Sequence, residues 1–363
     1  MTGFEHKDYQ LIESSPWGVP VIDVRPLAEN VVSCSEDPSC ARNVLSYTGE
    51  DGAEFAAQTP PSGRVVQTAL RIPIDQVLAD GVVCKPGAME DKWAVYLHAR
   101  RLLFIRSWLR RVVAEADVHV ADGIATIGPV RGTFTGDDDR PEFTGRLLEY
   151  IVRDIALGED LPTPLPRPFA DYAAAAMYCF SLFGSRARFA THLQATLPAP
   201  ARPLCAHTRI HVATARGQAE RIPNLVREGI PLVARGPDGL AAIHWSVGRD
   251  SVEVATALLD AGTPVDLLSR EGATSLMQAA QARSIPHINL LLARGADPGI
   301  ADHRGFTALH RAAEMGLSPV VEALLDAGAS PNPVAQGHTP LSLAKGRQHE
   351  DIVLVLERAM RSR

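Results

Sequence analysis

At 363 residues the chain has length for two or three domains, and 46% hydrophobic with 21% charged residues places it among folded proteins and excludes a disordered one. Its net charge of -6 is unevenly held: residues 201–363 carry 17 Lys+Arg against 16 Asp+Glu, while residues 1–200 carry 19 against 26. Neither part has the basic excess of a general nucleic-acid binder, so a nucleic-acid partner is not expected.

The N-terminus, with Glu5, His6, Lys7 and Asp8, lacks the apolar core of a secretory signal. Val19 to Val24 and Arg64 to Ile74 read as strands, separated by loop signals at Gly49-Glu50-Asp51-Gly52 and Pro60-Pro61. Trp93, Val95 and Leu97 alternate with other residues, and after a break at His98 to Arg101 a β-rich run follows in Leu103, Phe104 and Ile105, which predicts a hairpin. A second hairpin is predicted from Val112 to Val120 and Ile124 to Val130, because the Asp122-Gly123 step favours the positive dihedrals of a tight turn. Glu142 to Leu157 has helical periodicity through Phe143, Leu147, Tyr150, Ile151 and Ile155. Strands followed by a helix make residues 1–160 an α+β domain.

Glu90-Asp91-Lys92-Trp93 with Phe104-Ile105-Arg106-Ser107-Trp108 is similar to a string in an uncharacterised group of small bacterial domains, from which this chain departs at Leu109-Arg110. The resemblance implies a folded α+β domain and carries no chemistry.

Leu161 to Pro168 has prolines at alternate positions, which favours an extended, stiff connector and a domain boundary. Phe169 to Leu197 is alanine-rich and reads as helix; residues 161–202 are therefore expected to be a linker and a helical segment that packs on the domain after it. The longest apolar run, Ala173 to Phe183, is 11 residues, short of the roughly 20 that span a bilayer, so no membrane partner is expected. Cys34, Cys40, Cys84, Cys179 and Cys205 are odd in number and form no C-x-x-C pair, which fits a reducing, cytoplasmic setting without disulfides or zinc.

From 203 onward one pattern recurs. Gly229, Gly262, Gly295 and Gly328 stand 33 residues apart, each preceded by an apolar pair, Leu225-Val226, Leu258-Leu259, Leu291-Leu292 and Leu324-Leu325. That is a helix ending at a glycine, where a left-handed backbone is cheapest without a Cβ. A second series, Gly239, Gly272, Gly305 and Gly337, opens strings that continue into another helix, most clearly Gly305-Phe306-Thr307-Ala308-Leu309-His310-Arg311-Ala312-Ala313. The first helices are small on their packing face, as in Leu276, Ala279, Ala280 and Leu309, Ala312, Ala313, and the second carry bulk, as in Val320, Val321, Leu324 and Leu325. No unit could bury its own apolar face, so stacking into an all-α solenoid is obligatory.

The string G-x-T-x-L-H-x-A-A, the L-L helix end and the x-x-G-A-D turn resemble the ankyrin repeat. Set against that family, the units run from about 203 to 235, 236 to 268, 269 to 301, 302 to 333 and 334 to 363, about five including caps. Ala206 replaces the first turn glycine, and Ser342 and Lys345 stand where the last unit would have His and Ala, as caps would.

The resemblance implies a protein partner, held by the turn tips and the exposed ends of the first helices. On this sequence those positions are Asp238, Leu240 and Arg249 with Trp245 beside them, then Arg270, Glu271 and Gln281, then His303, Arg304, Phe306, Glu314 and Met315, then Gln336 and His338. Phe306 and Met315 are expected to be the exposed apolar centre of the interface, rimmed by charge. His211, His244 and His310 are expected to bond neighbouring turns, because equivalent positions in stacked units lie roughly 8–10 Å apart, too far to share one metal.

Asp137, Asp138 and Asp139 read as a solvated loop rather than a cation site. No phosphate-loop, dinucleotide, nucleophile-elbow or zinc-protease string occurs, so no cofactor, metal or catalytic residue is assigned and a non-enzyme is expected. Arg100, Arg101, Arg106, Arg110 and Arg111 among Trp93, Tyr96, Phe104 and Trp108 support a second reading. In it the N-terminal domain binds a nucleotide or other phosphate ligand, with or without catalysis, and the repeats serve for targeting.

Overall fold

The computed structural model describes residues 9–28, 43, 52–86, 91–135, 140–248 and 252–361, and the chain divides into two compact units, Met1–His207 and Thr208–Arg363. The segments Glu5–Asp8, Gly49–Asp51 and Asp137–Asp139, together with Cys34, Cys40 and Arg249, lie outside the described residues.

In the first unit the larger sheet is an antiparallel meander of β5 (Gly81–Cys84), β6 (Trp93–His98), β7 (Arg101–Arg106), β8 (Arg111–Ala121) and β9 (Ile124–Gly132). The stretch expected as one strand over 64–74 is two, β3 (Val65–Val66) and β4 (Leu70–Pro73), both paired with the outer edge of β9. Both predicted hairpins are present. Asp122 and Gly123 close the second with φ of 50° and 72°, while Ala99 and Arg100 close the first with φ of 47° and 59° although neither is glycine. Such backbone is unfavourable by roughly 1–3 kcal/mol per residue, and the Asp80 carboxylate offsets part of it by accepting the Ala99 N–H at 2.9 Å. A smaller sheet has the order β1 (Leu11–Ile12), β2 (Val21–Asp23), β11 (Phe189–Thr191), β10 (Thr163–Pro164), with only β10 and β11 parallel. After the one-turn α1 (Arg25–Ala28), the periodic segment at 142–157 forms α2 (Pro141–Tyr150), which continues as a π-helical stretch over Ile151–Ala156.

Residues 161–202 are not a linker. Leu161 and Leu165 are buried in the same core as Trp93, Phe104 and Ile127, and β10 lies inside the proline stretch. Of the expected helix over 169–197, α3 (Tyr172–Phe183) forms, capped by Asp171 accepting the Ala174 N–H at 2.7 Å, and the chain then returns as strand β11. Alanine-rich sequence allowed helix, but apolar burial of Ala175, Ala176, Cys179 and Phe183 in the core they share with Trp93 and Phe104 decides where the segment sits. Two polar anchors fix it. The Trp93 indole and the Arg106 guanidinium donate to Leu182 O at 2.8 and 2.7 Å, a cation at a helix C-terminus. Arg153, only 1% exposed, donates to Glu149 and Glu159 and to Pro198 O, while Glu159 also accepts the N–H groups of Ala201 and Arg202. A buried charge is tolerable only with such pairing.

The second unit is five helix pairs in succession: α4 (Arg209–Arg216) with α5 (Ile222–Arg227), α6 (Ala242–Ser246) with α7 (Glu253–Asp260), α8 (Ser275–Gln281) with α9 (Ile285–Ala293), α10 (Ala308–Met315) with α11 (Ser318–Asp326), and α12 (Pro340–Gly346) with α13 (Glu350–Arg361). Leu276, Ala279, Ala280, Leu309, Ala312, Ala313, Val320, Val321 and Leu324 are all buried in its core, as their periodicity required, with Leu325 partly buried. Gly229, Gly262, Gly295 and Gly328 have φ between 81° and 101°, the left-handed turn that ends each second helix.

Candidate partner-binding face

Each first helix is entered through a tight turn that the side chains of the repeat hold closed. In the fourth unit Asp302 Oδ1 accepts the N–H groups of Arg304 and Phe306, both at 2.9 Å, and Asp302 and Phe306 close the turn with a backbone bond of 2.8 Å. Thr307 caps α10, and His310 Nδ1 accepts the Thr307 N–H at 3.1 Å. His211 and His244 do the same for α4 and α6, and each of their Nε2 atoms lies 3.1 Å from a carbonyl of the next turn, Leu240 O and Ala273 O. Because Nδ1 accepts, Nε2 carries the proton and donates. His211 and His244 therefore bridge turn to turn, as the resemblance implied, whereas among the described residues His310 Nε2 is buried without a hydrogen-bond partner and makes no such bridge. In the last unit Ser342 takes this place, its hydroxyl accepting the Thr339 N–H at 2.9 Å. Burial holds the imidazoles of His244, His287 and His310 below the ordinary histidine value.

The turns are also joined directly. Arg270 N donates to Gly239 O at 2.8 Å and His303 N to Glu271 O at 3.0 Å, so the tips of the second, third and fourth units form one row in fixed register. Of the residues expected to meet a partner, Asp238, Glu271, Gln281, His303, Arg304, Gln336 and His338 are exposed, and Leu240, Trp245, Arg270, Glu314 and Met315 are half-buried.

Phe306 is not an exposed anchor. It is 9% exposed, with its ring 5.3 Å from that of His310 and the guanidinium carbons of Arg304 and Arg311 at 5.4 and 4.9 Å from its centroid. The turn folds the side chain back over its own helix, where it loses more water contact than at the tip. Trp245 is likewise committed inward: its ring meets His211 at 5.4 Å and its indole N–H is 2.6 Å from Asp238 Oδ2. Arg270 donates to Pro237 O at 3.3 Å. Glu314 faces Arg347 at 2.9 Å and Arg311 at 3.9 Å.

Leu268 and Val334 were not singled out by sequence reasoning, yet they are 38% and 65% exposed beside the turns. They occupy one repeat position two units apart, with exposed Ala301 between, so the 33-residue register could have found them.

In the basic, aromatic hairpin of the first unit most of the groups named are already committed within the fold. Trp93, Tyr96 and Phe104 are core residues at 1% exposure or less and have no face to offer a base. Arg101 pairs with Glu115 at 2.7 Å, Arg110 with Glu54, and Arg106 is spent on the carbonyls that end α3. Among the described residues no group of three or more His, Cys, Asp or Glu is placed to share a metal ion, and no helix is long and apolar enough to cross a membrane.

Residues 210–302 and 276–359 match the family model of ankyrin repeats in three copies. A comparison with curated proteins found no match.

Proposed function

Ankyrin repeats make up the second unit of this protein, and from that premise we propose that it holds a protein partner along the row of turn tips, as a non-catalytic module in a reducing, cytoplasmic setting. Repeats of this family serve protein–protein interaction in general. The observation that carries the proposal is the backbone ladder from Gly239 to Arg270 and from Glu271 to His303, which presents the tips without further ordering cost. Along the row Leu268, Ala301 and Val334 supply an apolar strip, and Glu271, His303 and Arg304 its charged margin, the composition of an interface centre and rim. Arg304 is 59% exposed at its side chain and held to Asp302 only at 3.6 Å, so it can turn outward. Cys84 and Cys179 are free thiols, which supports the reducing setting.

The test uses the full chain as bait in its native cell extract, with Arg304→Glu and Val334→Asp as a double variant. A partner whose capture weakens at least about 30-fold, near 2 kcal/mol, at unchanged Tm is the expected result. Equal capture by both chains overturns this face.

A further inference from the structure

Strand β4 lies on the β9 edge of the larger sheet and β5 on the β6 edge, so the connection from Ile74 to Asp80 must cross the end of the sheet. It is tied at both ends. Ile74 N donates to Gly123 O at 2.9 Å, and the Asp80 carboxylate accepts the Ala99 N–H and lies 3.3 Å from His98 Nδ1. Beside this strap lies a cleft of about 450 Å³ with Ile74, Leu78, Leu97, Val118 and Val120 as apolar walls and Arg100 and Asp80 as the charged groups of its lining. Leu97 and Val118 belong to the core of the unit, and Ile74, Leu78 and Val120 pack against it, so the cleft is an opening of that core at the turn end of the sheet.

We infer that this cleft binds a small amphipathic carboxylate, with its alkyl or aryl part among the aliphatic side chains and its carboxylate on Arg100. The size suits it, since small-molecule sites run roughly 300–1,000 Å³ with apolar walls and a few polar groups. The charge selects its sign. The Asp80 carboxylate is already engaged within the turn, accepting the Ala99 N–H and lying 3.3 Å from His98 Nδ1, whereas the exposed Arg100 guanidinium has no side-chain partner among the described residues. The left-handed backbone at Arg100, φ 59°, is fixed by the two-residue turn, so its Cα is held at the mouth and only the side chain is left to order on binding. Val77, 83% exposed, adds an aliphatic side chain at the same mouth.

Calorimetric titration of the full chain with sodium decanoate, 1-decanol and decylamine tests this. Decanoate should bind with one molecule per chain, and decanol about tenfold or more weaker, because a guanidinium–carboxylate bond is roughly twice a neutral one; decylamine should give no saturable heat. Arg100→Gln should bring decanoate down to the decanol affinity at unchanged Tm of the ligand-free chain, and Leu78→Trp, which fills the cleft, should remove both. Should Leu78→Trp lower the Tm, amide exchange locates the ligand instead, with decanoate slowing exchange at Ile74–Asp80 and Val118–Val120. Absence of saturable decanoate binding, equal affinity in wild type and Arg100→Gln, or protection confined to other segments overturns the inference.

Discussion

The indole of Trp245 donates to the Asp238 carboxylate at 2.6 Å, across seven residues of chain, and this bond closes the turn of the second repeat over its own first helix. Asp238 also accepts the Leu240 N–H at 3.0 Å, so one carboxylate orients both the turn and the ring. Trp245→Phe keeps an aromatic ring at this position and removes the donor together with part of the indole. It should cost about 0.5–1.5 kcal/mol or more in urea denaturation, and the double variant with Asp238→Ala should cost less than the sum of the two single changes, the second adding chiefly the lost bond to Leu240 N–H. Full additivity of the two would mean that the bond is not formed in solution.

Leu291 is 1% exposed in the core shared by the third and neighbouring repeats. Leu291→Ala should cost about 2–5 kcal/mol. Because stacked repeats stabilise one another, amide exchange should quicken across the whole second unit and much less in the first. Faster exchange confined to the helix carrying the change would rule out a cooperative stack.

Gly272 combines φ of 78° with a neighbour where a side chain would go: a Cβ there would lie 2.6 Å from His303 Cδ2. Gly272→Ala should therefore cost more than the roughly 1–2 kcal/mol of left-handed backbone alone. Adding His303→Ala should recover most of the excess, leaving the backbone part and the 3.0 Å approach to His303 N, which still donates to Glu271 O. Thermal melts of the three variants measure this; no recovery in the double variant would show that the turns do not pack as described.

The two units should respond to pH in opposite directions. Burial lowers the folded pKa of His244, His287 and His310 below 6.5, so unfolded chain takes up protons first and the second unit loses stability as pH falls through and below 6.5. In the first unit burial pushes Asp154 up from 3.8 to about 7, so there the folded form holds the proton and stability falls as pH rises from 3.8 through 7. Asp154→Asn keeps an acceptor for Leu161 N, whose bond is 3.0 Å, and should stabilise the first unit at pH 8 but not at pH 4. Amide exchange of the full chain at pH 5 and pH 8 reads both units at once; parallel trends in the two would contradict these assignments.

The repeats were legible because their information is local and periodic. Each unit needs the same small first helix, bulky second helix and left-handed glycine, so the pattern recurs every 33 residues and marks helices, core and histidine bridges alike. The hairpins and α2 were legible for the same reason, from alternation, an Asp-Gly step and a 3.6-residue period. What the sequence could not determine is what depends on partners distant in the chain. The prolines at 162–168 permit an extended connector or an edge strand equally, and the burial of Leu161 and Leu165 in the core, with β10 paired to β11 of the smaller sheet, makes them the second. Arg101, Arg106 and Arg110 resembled part of a phosphate site, but Glu115, the carbonyls of α3 and Glu54 hold them, groups that lie far away in the sequence. Phe306, at a turn tip in sequence, is withdrawn by a fold of only four residues onto His310. The strap over the cleft exists only because β4 and β5, neighbours in sequence, lie on opposite sides of the sheet, an arrangement set by which strand edges find each other and not by any residue between them.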